Sequence, residues 1–278
     1  ALTANTTGVK NTAVGANALL ANTTADFNTA IGMSALLANT EGHSNTSTGY
    51  QSLITNTTGN SNTATGIYAM YRNTTGSNNT AVGKSALEAN TTADSNTAVG
   101  YHSLYANTTG AQNVAVGQAS LDANTTASYN TALGYGALDS NTTGAANVAI
   151  GHNALTTVVG AIDNVAIGQQ ALKVNLGRAN VAVGGRAGLA CTDGFTNVMV
   201  GEIAGADVTT GDNNILIGNE AGRTGSPGGS ITTANNILSL GDGNIATANV
   251  QVDWTVASDK RDKTDVEPVK MGLDFVNK

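Results

Sequence analysis

Apolar and polar positions along this chain recur with one fixed period. The pattern Asn-x-x-x-Gly begins at Asn11, Asn28, Asn45, Asn62, Asn79, Asn96, Asn113, Asn130, Asn147 and Asn164, each step being 17 residues. It continues at Asn180 after a 16-residue step, then at Asn197 and Asn214. A representative copy reads Asn-Thr-Ala-Val-Gly-x-x-Ala-Leu-x-Ala-Asn-Thr-Thr-Gly-x-x. A register held this long is the signature of a repeat architecture, so each copy is read as one stacked structural unit.

Within a copy, Asn-Thr-Ala-Val-Gly is short, β-prone and closed by glycine, which predicts a strand running into a turn. Alternation by two places the residue before the glycine and the residue after the asparagine on one face. The former is Val14, Ile31, Val82, Val99, Val116, Leu133, Ile150, Ile167, Val183, Val200 and Ile217, with Thr48 and Thr65 as exceptions. The latter is Thr in most early copies and Val at Val114, Val148, Val165, Val181 and Val198. This face is expected to form the core of each coil. The opposite face carries alanine from Ala13 to Ala182, with Ser47 as its polar variant, and enlarges only at Met199 and Leu216. Such a run of alanines predicts close approach of a neighbouring chain.

A second short strand is expected around Ala18-Leu19, Ala35-Leu36, Ala86-Leu87, Ala137-Leu138 and Ala171-Leu172. It leads into Asn-Thr-Thr turns at Asn22, Asn56, Asn73, Asn90, Asn107, Asn124 and Asn141, where stacked Asn and Thr can form hydrogen-bond ladders. Seventeen residues are too few for a helix pair, and recurrent Gly with β-branched residues argues against helix. The expected fold is therefore all-β: an elongated β-solenoid or β-roll with about two short strands per coil and roughly 4.7–4.9 Å of rise per coil. Few apolar side chains are available per coil to offset the ordering of its backbone, so an oligomer joined through the alanine face is expected.

Composition narrows the function classes. Only 11% of the 278 residues are charged and 4% are aromatic, but 40% are hydrophobic and hold a fixed register, which argues against disorder. Two prolines and the lack of a Gly-X-Y period exclude collagen. The net charge of −7 and the absence of a dense Lys/Arg cluster exclude a nucleic-acid partner. No run of about 18 apolar residues supports membrane insertion. One cysteine, Cys191, excludes an intrachain disulfide framework. Because Ala1 falls inside a repeat, the chain reads as a piece of a longer polypeptide.

The organisation changes along the chain. Residues 1–176 form the regular array. Residues 177–245 carry variant copies in which Ala-Leu becomes Ala187-Gly188, Ala204-Gly205 and Ala221-Gly222, followed by a longer loop at Arg223–Asn235 with Pro227-Gly228-Gly229. A degenerate last copy begins at Asn236. Residues 246–257 alternate as a β stalk containing Trp254, and residues 258–278 begin a different, charged segment.

That last segment holds Ser258-Asp259-Lys260-Arg261-Asp262-Lys263-Thr264-Asp265-Val266, followed by Met271-Gly272-Leu273-Asp274-Phe275-Val276. It resembles the opening of the endosialidase-type intramolecular chaperone domain found at the C-terminus of phage tail fibres and tailspikes. The resemblance covers about 20 residues. It implies a homotrimer, intertwined or side by side, and one self-cleavage between Ala257 and Ser258. Ser258 would be the nucleophile and Lys263 its activating partner, since a hydroxyl needs a neighbouring base. The 17-residue copies also resemble the head repeats of trimeric autotransporter adhesins, which build trimeric β-rolls.

Other residues carry less chemistry. His43, His102 and His152 fall at different repeat positions and read as surface loop residues rather than metal ligands. Tyr50, Tyr101 and Tyr135 follow the repeat glycine, and Tyr68, Tyr71 and Tyr105 lie close by. They read as packing over small residues, with a sugar-stacking stripe as the alternative. The Asn-x-Thr triplets read as turn and ladder residues. No paired carboxylates or Ser/His/Asp set recurs, so no enzyme activity beyond self-cleavage and no cofactor is expected.

The function expected is the structural and receptor-binding part of a bacteriophage tail fibre, a rigid trimeric rod in the virion. Its partners would be two further copies and a host cell-surface receptor, with a glycan as one class. A trimeric adhesin on the bacterial cell surface is one alternative. An ice-binding β-solenoid, with a flat exposed Thr-x-Thr face and a stable monomer, is another.

Overall fold

The computed structural model describes residues 1–226 and 228–247. Fourteen strands of three residues each, from β1 (Thr12–Val14) to β14 (Leu238–Leu240), form a single sheet in strict sequence order. All neighbours pair in parallel and in register, as in Thr97↔Val114 and Val99↔Val116 between β6 (Thr97–Val99) and β7 (Val114–Val116). The 16-residue step leaves the pairing intact: Val165, Ala166 and Ile167 of β10 (Val165–Ile167) face Val181, Ala182 and Val183 of β11 (Val181–Val183). The architecture is an all-β solenoid with one strand per coil.

One strand per coil means that the rest of the ring is turn, and the Ala-Leu segment is not the second strand expected. Its leucines adopt left-handed backbone angles, from φ 47° at Leu172 to 54° at Leu138. A strand would send Ala and Leu to opposite faces, whereas this turn buries both completely. Two further left-handed residues recur per coil, as with Ser95 and His102 beside Leu104. Each costs an L-residue roughly 1–2 kcal/mol, a cost offset because these conformations close a ring of only 17 residues. Glycine after the strand answers a different need. Gly100 has φ 134°, and a Cβ there would lie 2.6 Å from the Gly117 carbonyl oxygen of the next coil.

The structure also reverses the expected inside and outside of the strand. The alanines from Ala30 to Ala182 face the coil interior and are fully buried, whereas Val14, Ile31, Val82, Leu133, Ile167 and Ile217 point outward and are exposed. The interior is too narrow for both walls to be large. Leucine from the opposing turn fills it, so only a small residue fits on the strand. Alanine therefore marks the chain's own core and not the approach of a neighbouring chain. Ser47 is accommodated because its hydroxyl donates 2.8 Å to the Ser52 carbonyl.

Both departures from the regular repeat follow from this packing. Where the turn leucine becomes Gly188, Gly205 and Gly222, the strand residue becomes Met199 and Leu216, and the bulk passes from one wall to the other. A Cβ on Gly188 would lie 2.7 Å from Met199 Cε, and one on Gly205 would lie 3.0 Å from Leu216 Cδ1.

The coil's remaining corner is closed by two ladders of buried asparagine. In one, Asn96 Oδ1 accepts the Asn113 N–H at 2.9 Å while Asn96 Nδ2 donates to the Gly110 carbonyl at 2.9 Å. In the other, Asn107 Nδ2 donates to Asn90 Oδ1 at 3.1 Å and to the same Gly110 carbonyl at 2.9 Å. Outside this corner the threonines form the expected ladder, each hydroxyl donating to the next coil's carbonyl, as from Thr74 to Thr91 at 3.0 Å.

The exchange of bulk between walls predicts a compensating pair. Met199→Ala should cost about 2–5 kcal/mol in denaturant unfolding, the usual range for emptying a core methionine. Gly205→Leu alone should also destabilise by overpacking. The double variant should recover much of the loss, and strict additivity in this cycle would refute the facing-wall account.

Candidate interaction surfaces

The outer face of the sheet is the most extensive feature beyond the core. Two rows of side chains run along it, one from Thr12 to Leu238 and one from Val14 to Leu240. Parallel in-register pairing stacks identical positions, and the strands contain no charged residue. The first row is mostly threonine through β6 and mostly aliphatic from β7 onward. There the face presents exposed Val114, Leu133, Ile167, Ile215, Ile217, Leu238 and Leu240 together. An exposed and largely apolar surface of this kind is a candidate for interaction.

A second surface borders this face, just past the repeat glycine. Tyr50 and Tyr68 pack edge to face with ring centroids 5.6 Å apart, and Tyr68 meets Tyr71 in the same way. Two coils on, His102 stacks between Tyr101 and Tyr105 at 4.1 and 4.4 Å. Tyr135 and His152 stack at 5.4 Å. Threaded through these rings are Glu88, Asp122 and Asp139, each five residues past its repeat glycine. Burial raises the Asp122 carboxyl above the usual range, with His102 opposing and Asp139 reinforcing the shift. Burial likewise raises Asp139. His102 Nδ1 stands 3.9 Å from Asp122 Oδ1, too far for a hydrogen bond.

The sequence-level candidates divide accordingly. The six tyrosines fall into three clusters, Tyr50 with Tyr68 and Tyr71, Tyr101 with Tyr105, and Tyr135, and His102 and His152 join the last two as stacked rings. His43 instead serves the turn ladder, where its Nδ1 accepts the Asp26 N–H at 2.9 Å. Glu88, Asp122 and Asp139 join the candidates only in the structure, although they share a repeat position with Tyr71 and Tyr105. Ser258 and Lys263 lie outside the described residues, as does all but the first two residues of the segment 246–257 expected as a stalk, Trp254 included.

Two smaller features complete the surface. At the 16-residue step a notch of about 280 Å³ opens beside Ile162, Leu176, Arg178 and Phe195. Cys191 takes an asparagine position in the second ladder and is buried, with Sγ 3.7 Å from the Gly194 carbonyl. Among the described residues no group of three or more His, Cys, Asp or Glu is placed to hold a metal ion. No helix among them is long and apolar enough to cross a membrane.

Burial pushes the Cys191 thiol up to about 12, so the reactive thiolate is scarce at ordinary pH. The folded protein should resist a thiol-specific disulfide reagent at pH 8 and react once in denaturant. Rapid stoichiometric labelling of the native protein would contradict this placement. Comparison of the chain with protein families, with curated proteins and with solved structures found no match.

Proposed function

We propose that this chain is the structural, receptor-binding part of a bacteriophage tail fibre, in which three copies form a rigid rod for attachment to a host cell. The observation that supports the three-copy rod is the uncharged outer sheet face, mostly apolar and in register from β7 to β14. A lone chain leaves this surface in water, and covering each half-exposed aliphatic side chain is worth roughly 1 kcal/mol. Three copies can turn these faces toward a common axis while their turns remain outward. The contact thus belongs to the Thr/Val/Ile rows, since the alanines are spent inside each coil.

The assignment to a phage fibre rests on the residues from Ser258 onward, whose resemblance is to a trimer-assembling chaperone domain. A bacterial trimeric surface adhesin would share the rod but need an outer-membrane anchor after the repeats. A second reading draws on the threonine-rich half of the same face. Thr46 and Thr48, then Thr63 and Thr65, stand in register as Thr-x-Thr pairs. Such rows suit an ice-binding solenoid, which would act as a monomer.

Sedimentation at micromolar concentration separates these readings. The fibre reading expects a trimer that dissociates when Ile167→Glu and Val200→Glu are combined, with the far-ultraviolet circular dichroism unchanged. A parent monomer with thermal hysteresis would favour ice binding, and a trimer indifferent to both substitutions would place the contact elsewhere. The self-cleavage proposal predicts that the polypeptide extended through a complete chaperone domain is cut before Ser258. Intact mass should show the cut abolished in Ser258→Ala, and an uncut parent would refute it.

A further inference from the structure

The tyrosine and carboxylate ridge has an order that core packing does not require. From the coil of β4 (Thr63–Thr65) to that of β8 (Thr131–Leu133), aromatic and polar coils alternate, with a further aromatic coil at each end. Tyr50 and then Tyr68 with Tyr71 open the series, Lys84 and Glu88 follow, and then come Tyr101, His102 and Tyr105. Gln118 and Asp122 separate this stack from Tyr135, Asp139 and His152. Aromatic stations thus recur about every second coil, at a separation of roughly 10 Å.

These rings are not consumed by packing. Tyr101 is 44% exposed and Tyr135 51%, although both lie against neighbouring rings. Mutual stacking holds Tyr101, His102 and Tyr105 nearly parallel, with interplanar angles of 19° and 8°. Preordered rings present apolar faces at little further entropic cost. Beside them Asp122 Oδ1 is buried without a hydrogen-bond donor. The part of the Asp122 side chain that stays exposed, 34% of it, leaves the carboxylate within reach of a ligand O–H or N–H. A notch of about 170 Å³ lined by Gln51, Tyr68, Tyr71 and Glu88 offers the same pairing of ring and acceptor farther along.

One class of ligand answers all of these features. A pyranose offers an apolar C–H face to an aromatic ring and hydroxyl donors at its edge, and its length is close to one coil. Glu88, Asp122 and Asp139 outnumber Lys84 along the ridge, so anionic sugars meet a repulsive field. We propose that the ridge of Tyr50, Tyr68, Tyr101, Tyr135, Glu88 and Asp122 binds a neutral oligosaccharide laid along the solenoid axis. This names the receptor class for the tail-fibre reading and rests on that reading.

The test titrates the whole chain with neutral malto-, cello-, manno- and galacto-oligosaccharides from two to six units, and with oligogalacturonate as the anionic control. Saturation-transfer magnetic resonance supplies the readout. At least one neutral series should bind, tightening with length up to the hexasaccharide. Tyr101→Ala and Tyr135→Ala should each weaken it by about tenfold or more, the scale of an aromatic anchor. Asp122→Ala should weaken it independently, and all three variants should retain the parent's melting temperature. Failure of every neutral series, preference for oligogalacturonate, or binding unchanged in the tyrosine variants would overturn the proposal. Sedimentation of the same samples keeps the two ideas separable. A trimer without neutral-sugar binding overturns the ridge alone, whereas a monomer that binds overturns the fibre reading alone.

Discussion

The corner carbonyl shared by two asparagine ladders is the constraint on which the solenoid depends. A 17-residue ring must bring backbone polar groups inside its own wall, where an unpaired carbonyl or amide costs more than a hydrogen bond returns. Gly110 shows the solution, since its carbonyl accepts from Asn96 and Asn107 and both lone pairs are used. The same side chains reach the adjacent coil through Asn90 and Asn113, so closing one ring also sets the height and rotation of the next. Where the second ladder lapses to Val158, Cys191 and Val208, the first continues unbroken through Asn164, Asn180, Asn197 and Asn214.

The hydrophobic core is subordinate to that ring. Its cross-section admits one large side chain between the turn and the strand, and the chain supplies it from either wall. Leu172 comes from the turn, and Met199 and Leu216 come from the strand. The substitution of Gly205 for leucine would look like a lost core residue on its own. Beside Met199 it is a transfer of volume, consistent with the way cores tolerate change when total volume is kept.

A wall with its interior fully committed leaves the exterior free to diversify. The outward row of the sheet drifts from threonine to aliphatic residues without disturbing the pairing of strands. The positions beyond the repeat glycine accept Tyr, His, Lys or Gln in turn. The two proposed roles, association and recognition, therefore fall on two different outer surfaces of one coil. One is the flat sheet face, and the other is the ridge of stacked rings and carboxylates.

The repeat length, a β-solenoid of stacked coils, the ladders at the Asn-Thr-Thr turns and the continuity of the array across the 16-residue step were all legible in the residues. Each is a consequence of local register, which one strand of text displays. The sequence also marked the tyrosine positions, though not the carboxylates that stand among them. Which side of the strand faces inward is settled in three dimensions. Val14 and Ala30 carry no label of orientation, because apolar residues occupy surfaces as well as cores. The deciding fact was the leucine across the ring, whose left-handed backbone turns it inward and leaves space only for alanine. Ring closure is a relation between residues on opposite walls, and a linear pattern contains each wall but not the distance between them.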